Sequence, residues 1–328
     1  MKKPENKDIK RILVVKNDHI GDLVLSSCAF RELKKNFPKS EITVVASSIN
    51  KPLIEKNPHI DEILVIERGK EFLKSFWKYP FFWKEIYKKK FDIGINLRGS
   101  GDILNFIFLM YLPRIKYKIG FGDTLSKFFL DYTQRVDYNK HESKLSLNLI
   151  NGGLNLNLTN NFPEIYTSRE DLDEANKFIE ENELKKYISI VPETGDEGKQ
   201  WSLENFNETI KYLQWRYPEH KIVLIGSDET KLDWLIERNP KLIKMANYNL
   251  RIVYLILKKS NLVISLDVGP MHLAWAGNAN LIAIIKRFNS INVENIRPLS
   301  KNAYVLLEDN GEIKTNEVKN LIDKILNK

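Results

Sequence analysis

Arg11-Ile-Leu-Val-Val-Lys16-Asn17-Asp18-His19-Ile20-Gly21-Asp22, running on through Leu23 and Cys28 to Asn36, is a strand pattern that passes directly into a helical one. A short β-branched run bounded by polar turn residues reads as a strand buried on both faces. Three further segments of the first half repeat it: Glu41–Ala46, Glu62–Ile66 and Phe91–Leu97. Helical patterns lie between them, at Asp22–Asn36 and over 69–90. Strands alternating with helices predict a parallel sheet covered on both faces.

The second half follows the same plan. Strands are expected at Tyr187–Pro192, Lys221–Ile225, Leu262–Asp267 and Leu281–Ile285, and helices at Leu203–Tyr217, Glu229–Arg238 and Leu250–Lys259. The Asn- and Gly-rich stretch 151–163 is the natural linker. The expected division is therefore a Rossmann-like domain over residues 1–158 and a second over 159–328. A terminal helix from about Thr315 is free to pack back on the first domain. Two doubly wound α/β lobes of this kind predict an interdomain cleft, with ligands at the carboxyl ends of the strands.

At 328 residues with 43% hydrophobic and 29% charged positions, the chain has the composition of a soluble two-domain protein. No apolar run approaches the roughly 18 residues that span a bilayer. The basic N-terminus leads straight into strand-like residues without a signal-peptide core, which predicts a cytoplasmic protein. Cys28 is the sole cysteine, so neither an internal disulfide nor a cysteine zinc site can form. The net charge of +8 is uneven: residues 1–150 carry 28 Lys/Arg against 18 Asp/Glu, and the remainder is nearly neutral. A basic first half suits an anionic partner, or is simply a solvated lysine-rich surface. Nucleic acid is not expected, because no recognition motif accompanies the charge.

Three segments carry chemistry. Gly21 permits a tight turn, and Asp22 projects from a helix start where a carboxylate is either a general base or a cap. The loop Pro192-Glu193-Thr194-Gly195-Asp196-Glu197-Gly198-Lys199-Gln200-Trp201 offers Lys199 as a mobile charge for a phosphate, with Thr194 as a donor. Alternatively it is an exposed loop anchored by Trp201. In Asp267-Val268-Gly269-Pro270-Met271-His272, a strand runs into a helix start with proline early in it, so the first amides form a diphosphate site. His272 lies in the first turn, placed to donate to a phosphate or to orient Asp267. Tyr248 is a candidate for stacking on a base and Glu229 for ribose hydroxyls, although packing or capping accounts for either.

The basic aromatic stretch over 69–90, with Phe76, Trp77, Phe81, Phe82 and Trp83 among lysines, suits an anionic membrane surface or a helix pair with its aromatics inward. Gly-x-Gly-x-x-Gly and Gly-x-Ser-x-Gly are absent from the expected places. Asp171-Leu-Asp173 formally matches a metal motif, but acidic residues in a first helical turn explain it as capping.

Taken in order, these segments resemble glycosyltransferase family 9, the lipopolysaccharide heptosyltransferases. The resemblance rests on Lys16 through Gly21-Asp22, Phe91–Ser100 with Arg98, Lys118–Phe121, His141 opening a helix, Lys199-Gln-Trp201 and Asp267–Ala274. It implies a GT-B architecture, acceptor on the first lobe and donor on the second, and inverting, metal-independent transfer from ADP-heptose to a lipid-linked glycan at the inner membrane. It implies Asp22 as base, Gly21 and Arg98 on the acceptor side, and Thr194, Lys199, Asp267, Gly269 and His272 around the donor, with no cofactor. Two departures stand out. Val268 replaces a small hydroxyl residue, removing a hydrogen bond worth about 0.5–1.5 kcal/mol, and Cys28 replaces a proline. Both leave room for a different nucleotide-sugar or acceptor, or for sugar-nucleotide binding without catalysis.

Overall fold

The computed structural model describes residues 9–67, 79–99, 115–122, 128–286, 293–308 and 312–327. The chain divides into two compact units, Met1–Tyr166 and Thr167–Lys328.

The first unit is built on a six-stranded parallel sheet of order β3-β2-β1-β4-β5-β6. Its strands are β1 (Arg11–Val15), β2 (Glu41–Ala46), β3 (Glu62–Val65), β4 (Ile93–Asn96), β5 (Tyr117–Phe121) and β6 (Tyr132–Gln134). The helices are α1 (Ile20–Asn36), α2 (Lys51–Ile54), α3 (Tyr79–Lys89) and α4 (Glu142–Leu154). Ile12 through Val15 are buried because β1 pairs with β2 on one side and β4 on the other. Leu13, Val15, Val45, Leu64, Ile86 and Phe91 form one core cluster, against which Phe82 packs. Of the aromatic stretch, Phe82 thus turns inward, while Lys84, Tyr87 and Lys88 are exposed. Phe76 and Trp77 and the side chains of Phe81 and Trp83 lie outside the described residues.

Two expectations are corrected here. The stretch 151–163 does not begin as a linker, since α4 runs through Leu154. Its glycines instead let the helix approach the sheet: a Cβ on Gly153 would sit 2.7 Å from Ile119 Cδ1. The unit also extends beyond residue 158. Arg31 on α1 donates to the carbonyls of Asn160 (2.6 Å) and Phe162 (3.3 Å) and pairs with Glu164, holding the segment to the first unit up to Tyr166.

The second unit repeats the topology in a parallel sheet of order β12-β11-β10-β7-β8-β9. Strands β7 (Tyr187–Val191), β8 (Lys221–Gly226), β10 (Leu262–Leu266) and β11 (Leu281–Lys286) fall where the sequence places them, and β9 (Ile243–Ala246) and β12 (Ala303–Glu308) form the edges. Helices α5 (Arg169–Glu181), α6 (Leu203–Arg216), α7 (Glu229–Arg238), α8 (Leu250–Lys259), α9 (Gly269–Ala276) and α10 (Thr315–Leu326) complete it. The terminal helix α10 packs on this second unit. Its Val318, Ile322 and Ile325 join the core of Ile188, Ile190, Leu224 and Ile264, and Asp323 accepts from the hydroxyls of Tyr212 (2.6 Å) and Tyr217 (2.8 Å).

Asp171 is a helix cap, as its setting in the sequence indicates. It accepts from the Ser168 amide at 2.7 Å and also grips buried Arg251 through both oxygens, at 2.7 and 3.0 Å.

Candidate functional site

Each sheet has the Rossmann order, in which the first and fourth strands of the unit lie side by side and their connections depart in opposite directions. The functional side chains gather at those two places, beyond the carboxyl ends of β1 and β4 and of β7 and β10.

In the first unit, Lys16 follows β1 and is fully buried. Its Nζ donates to Asp18 Oδ2 at 2.9 Å, to Glu142 Oε1 at 3.2 Å and to the Leu97 carbonyl at the end of β4 at 3.3 Å. Burial alone would push the ammonium down, but the carboxylates of Asp18, Glu142 and Asp22 outweigh it and hold its pKa above the usual lysine range. For the acids the balance is reversed. Burial drives Asp18 above the carboxylate range, with Lys16 opposing and Asp22 reinforcing. Glu142 is raised for the same reason, with Asp22 and Asp18 both adding to the effect. Asn50 Nδ2 donates to the Asp18 carbonyl at 2.7 Å and ties the turn to the loop after β2.

Asp22 is half-buried in the first turn of α1, where its Oδ2 accepts from the His19 amide at 3.2 Å. The carboxylate therefore caps its helix while standing in the field of the Lys16 cluster, so capping and chemistry do not exclude each other. The capping explains why α1 begins at Ile20, two residues ahead of the expected start. Gly21 lies beside it in the first turn. Arg98 is half-buried just beyond β4, its amide donating to Asn96 Oδ1 at 3.1 Å.

In the second unit Lys199 closes a short 3-10 turn, Glu197–Lys199, between β7 and α6. Trp201 fixes the turn from behind: it is buried, its indole donates to the Ile313 carbonyl at 2.9 Å, and it meets Phe206 edge-on. The Glu193 carboxylate accepts from the Ser227 and Asp228 amides after β8, the latter at 2.7 Å. Gly226 makes room for this, since a Cβ there would lie 2.6 Å from Glu193 Cδ. Thr194 Oγ1 accepts from the Asp196 amide at 3.2 Å inside the same loop.

So held, Lys199 Nζ reaches Asp267 Oδ2 at 2.7 Å, one residue beyond β10. His272 Nε2 stands 3.9 Å from Asp267 Oδ1, an ion-pair distance rather than a hydrogen bond. Val268 is the N-cap of α9 in an extended conformation that suits a cap, yet its side chain makes no capping bond. Gly269 and Pro270 open the helix, where unsatisfied amides and the dipole favour an anion. The Met271 side chain is fully buried, so this residue meets a ligand through its backbone alone.

The structure thus joins Lys199, Asp267 and His272 directly and sets residues 268–271 beside them. Glu229 and Tyr248 follow β8 and β9, farther along the same sheet edge. Glu229 is exposed, paired with Lys244 at 2.9 Å and bonded by Asn247 at 3.2 Å. Tyr248 is partly exposed and packs edge-on against Phe178. Sequence reasoning missed roles for Lys16, Asp18, Asn50, Glu142 and Glu193. For Glu142 the only signal was its place after His141, because its partner Lys16 is 126 residues away.

Two Rossmann-ordered sheets, each with polar groups gathered at its topological switch point, define a two-lobed α/β protein of the nucleotide-binding kind. The chain belongs to glycosyltransferase family 9 (heptosyltransferase), whose family model matches residues 81–326. It is accordingly a glycosyltransferase. It is 22% identical to the lipopolysaccharide core heptosyltransferase OpsX of Haemophilus influenzae over 92% of this chain and 86% of that protein. Its fold is similar to that of a family 9 glycosyltransferase from Veillonella parvula (TM-score 0.83, 22% identity, 99% of both chains). It is also similar to the Escherichia coli heptosyltransferase WaaC with ADP (TM-score 0.75, 16% identity, 96% of this chain and 99% of that one).

Proposed function

We propose that this glycosyltransferase moves a heptose from ADP-heptose to the core of a lipopolysaccharide acceptor, in one inverting step that needs no metal. Asp22 takes the proton of the acceptor hydroxyl as its oxygen attacks the anomeric carbon. The bond from that carbon to the diphosphate breaks, and ADP leaves with the electron pair. Lys199 and the amides opening α9 carry the negative charge growing on the departing diphosphate, a task that otherwise falls to a metal ion. Thr194 donates to a phosphate, Asp267 and His272 orient the sugar end of the donor, and Glu229 and Tyr248 meet the nucleoside. Gly21 and Arg98 serve the acceptor.

The observation that carries this reading is the Lys199–Asp267 contact at the start of α9, which sets a mobile cation beside a helix N-terminus. The ADP bound by WaaC and the lipopolysaccharide core named for OpsX support the donor and acceptor classes. Val268 favours a second reading, a different nucleotide-sugar on the same site, because the cap that meets the donor has no hydroxyl. Among the described residues no helix is long and apolar enough to cross a membrane. Exposed Lys84, Tyr87 and Lys88 on α3 suit contact with an anionic membrane surface, where a lipid-linked acceptor would be met.

Calorimetry with ADP, UDP and GDP, followed by mass spectrometry of lipopolysaccharide from a strain lacking the gene, tests both readings. The first predicts ADP selectivity and a mass deficit of one heptose. Selective binding of UDP or GDP, or a deficit of another sugar, moves the protein to the second.

A further inference from the structure

We infer that Glu193, just beyond β7, is a positioning residue for Lys199: its carboxylate mounts the loop 193–200 on the turn that opens α7, so that the lysine and the Glu229 assigned to the nucleoside share one support. The inference rests on the reading of Lys199 as a diphosphate ligand and deepens it.

The pairing of β7 with β8 prepares the contact. Ile190 lies opposite Leu224, and the same register carried onward brings Glu193 opposite Ser227. There the carboxylate accepts from the Ser227 amide, from the Ser227 hydroxyl at 3.0 Å and from the Asp228 amide at 2.7 Å. Asp228 is the N-cap of α7, and its amide has no partner within the helix, so an anion suits it. Here the anion is the protein's own. The turn is braced from its other side as well: the Asn247 amide donates to the Gly226 carbonyl at 3.1 Å, and Asn247 Nδ2 to Glu229 Oε1 at 3.2 Å.

The far end of the loop is tied to the same helix. Lys231, in the first turn of α7, donates from Nζ to Glu197 Oε1 at 2.7 Å and to Gln200 Oε1 at 3.2 Å. Gln200 Nε2 in turn donates to the Pro192 carbonyl at 2.7 Å, closing the loop at its base. The bonds that shape the loop from within, from the Asp196 amide to Thr194 Oγ1 at 3.2 Å and from the Gly198 amide to Asp196 Oδ1 at 3.0 Å, reach no other element. Lys199 therefore stands on a loop both of whose ends are tied to the start of α7, and Asp267 receives only its tip, at 2.7 Å. Loosening Glu193 leaves the ammonium chemically intact but frees it to wander from the diphosphate.

Glu193→Gln keeps the length of the side chain and turns one of its two accepting oxygens into a donor facing a donor. In calorimetry with ADP (UDP or GDP if the parent prefers it), the variant should bind about tenfold more weakly, the lower end of what a charge-assisted bond to the diphosphate contributes. The matching nucleoside, which has no phosphate, should bind variant and parent alike. In a Lys199→Met background the same substitution should cost less than about twofold, because the group it positions is gone. Equal losses in both backgrounds, an equal loss for the nucleoside, or no loss at all would overturn the inference. Lys199→Met alone is the separate check. Undiminished nucleotide binding by that variant means that the diphosphate reading fails and the inference with it; weakened binding with additive losses sinks the inference alone. Hydrogen exchange on the unmodified protein needs no folded variant. The Ser227 and Asp228 amides should exchange slowly, although amides at this end of a helix have no helical partner, and fast exchange at both would overturn the inference independently.

Discussion

Lys16 in the first unit and Arg251 in the second are both buried cations, yet their carboxylate partners titrate in opposite directions. Arg251 grips Asp171 through both oxygens: despite burial, the guanidinium and the Ser168 amide hold Asp171 below the usual carboxylate range. Lys16 donates to two, Asp18 and Glu142, and burial pushes both above that range despite the lysine. The sheets around them have the same strand order, so the contrast comes from how far hydrogen bonds offset burial rather than from topology. A pair whose hydrogen bonds keep its acid ionised is a fastener, whereas the buried acids beside Lys16 are drawn towards their protonated forms. The second comes at a cost to stability that a purely structural site has no reason to accept.

The largest expected effect falls on the proposed base of the first unit. Asp22→Asn should lower turnover by about 100- to 10,000-fold, the span of a positioned base, with ADP affinity by calorimetry little changed. Near-parental turnover would remove Asp22 from the role of base and leave it a helix cap. Next, Asp171→Asn should destabilise the protein by about 3–5 kcal/mol in urea unfolding at neutral pH, because the bidentate charge facing buried Arg251 is lost.

The same pair gives a pH test with a definite sign. The folded-state pKa of Asp171 is depressed, so its contribution is present above the usual carboxylate value and lost as pH falls through the folded one. Asp18 and Glu142 are raised, so their contribution is fully present at acidic pH and lost as pH climbs through their folded values. Removing Asp171 should therefore flatten the acid side of the stability profile and leave the slope that Asp18 and Glu142 give as pH climbs through their folded values.

A smaller effect is expected from Lys199→Met, which removes one charge-assisted bond to the diphosphate. Donor affinity should fall by about 1.5–3 kcal/mol, roughly 10- to 150-fold, without a shift in the acidic limb of the pH–rate profile. If that limb moved as well, the separation of base and phosphate roles between the units would be wrong. The smallest concerns the bare cap of α9. Val268→Thr should add about 1 kcal/mol to stability in thermal unfolding and tighten nucleotide binding modestly. No gain in either would mean the extended backbone at this position does not present a side chain to the helix amides.

Most central strands were legible because they are buried on both faces. Runs such as Ile-Leu-Val-Val and Leu-Val-Ile-Ser-Leu leave little alternative. Tyr117–Phe121 is buried too but escaped, its Lys118 and Gly120 breaking the apolar run. Edge strands were missed as well: Ala303–Glu308 is half-exposed along its whole length, and Ile243-Lys-Met-Ala has too few apolar positions to stand out, although Glu62–Ile66 at an edge of the first sheet was read. Gly152 and Gly153 misled for a physical reason, since a glycine that admits a neighbouring strand looks in sequence like one that loosens a linker. Of the candidate site, the places of Asp22, Lys199 and Asp267–His272 could be read because each follows a strand. Glu142 and Asp18 were hidden, because what makes them unusual is shared burial around Lys16, which only the folded chain creates.

The Glu193 anchor also separates two glycines of one neighbourhood by their tolerance. At Gly226 any side chain would collide with the carboxylate that pins the loop, so substitution there should release Lys199 without touching it. At Gly195 no atom of the described residues lies within 4 Å of an added Cβ. A fluorophore attached through cysteine at 195 would therefore report on nucleotide arrival from within the loop itself, an optical handle on turnover that needs no labelled sugar.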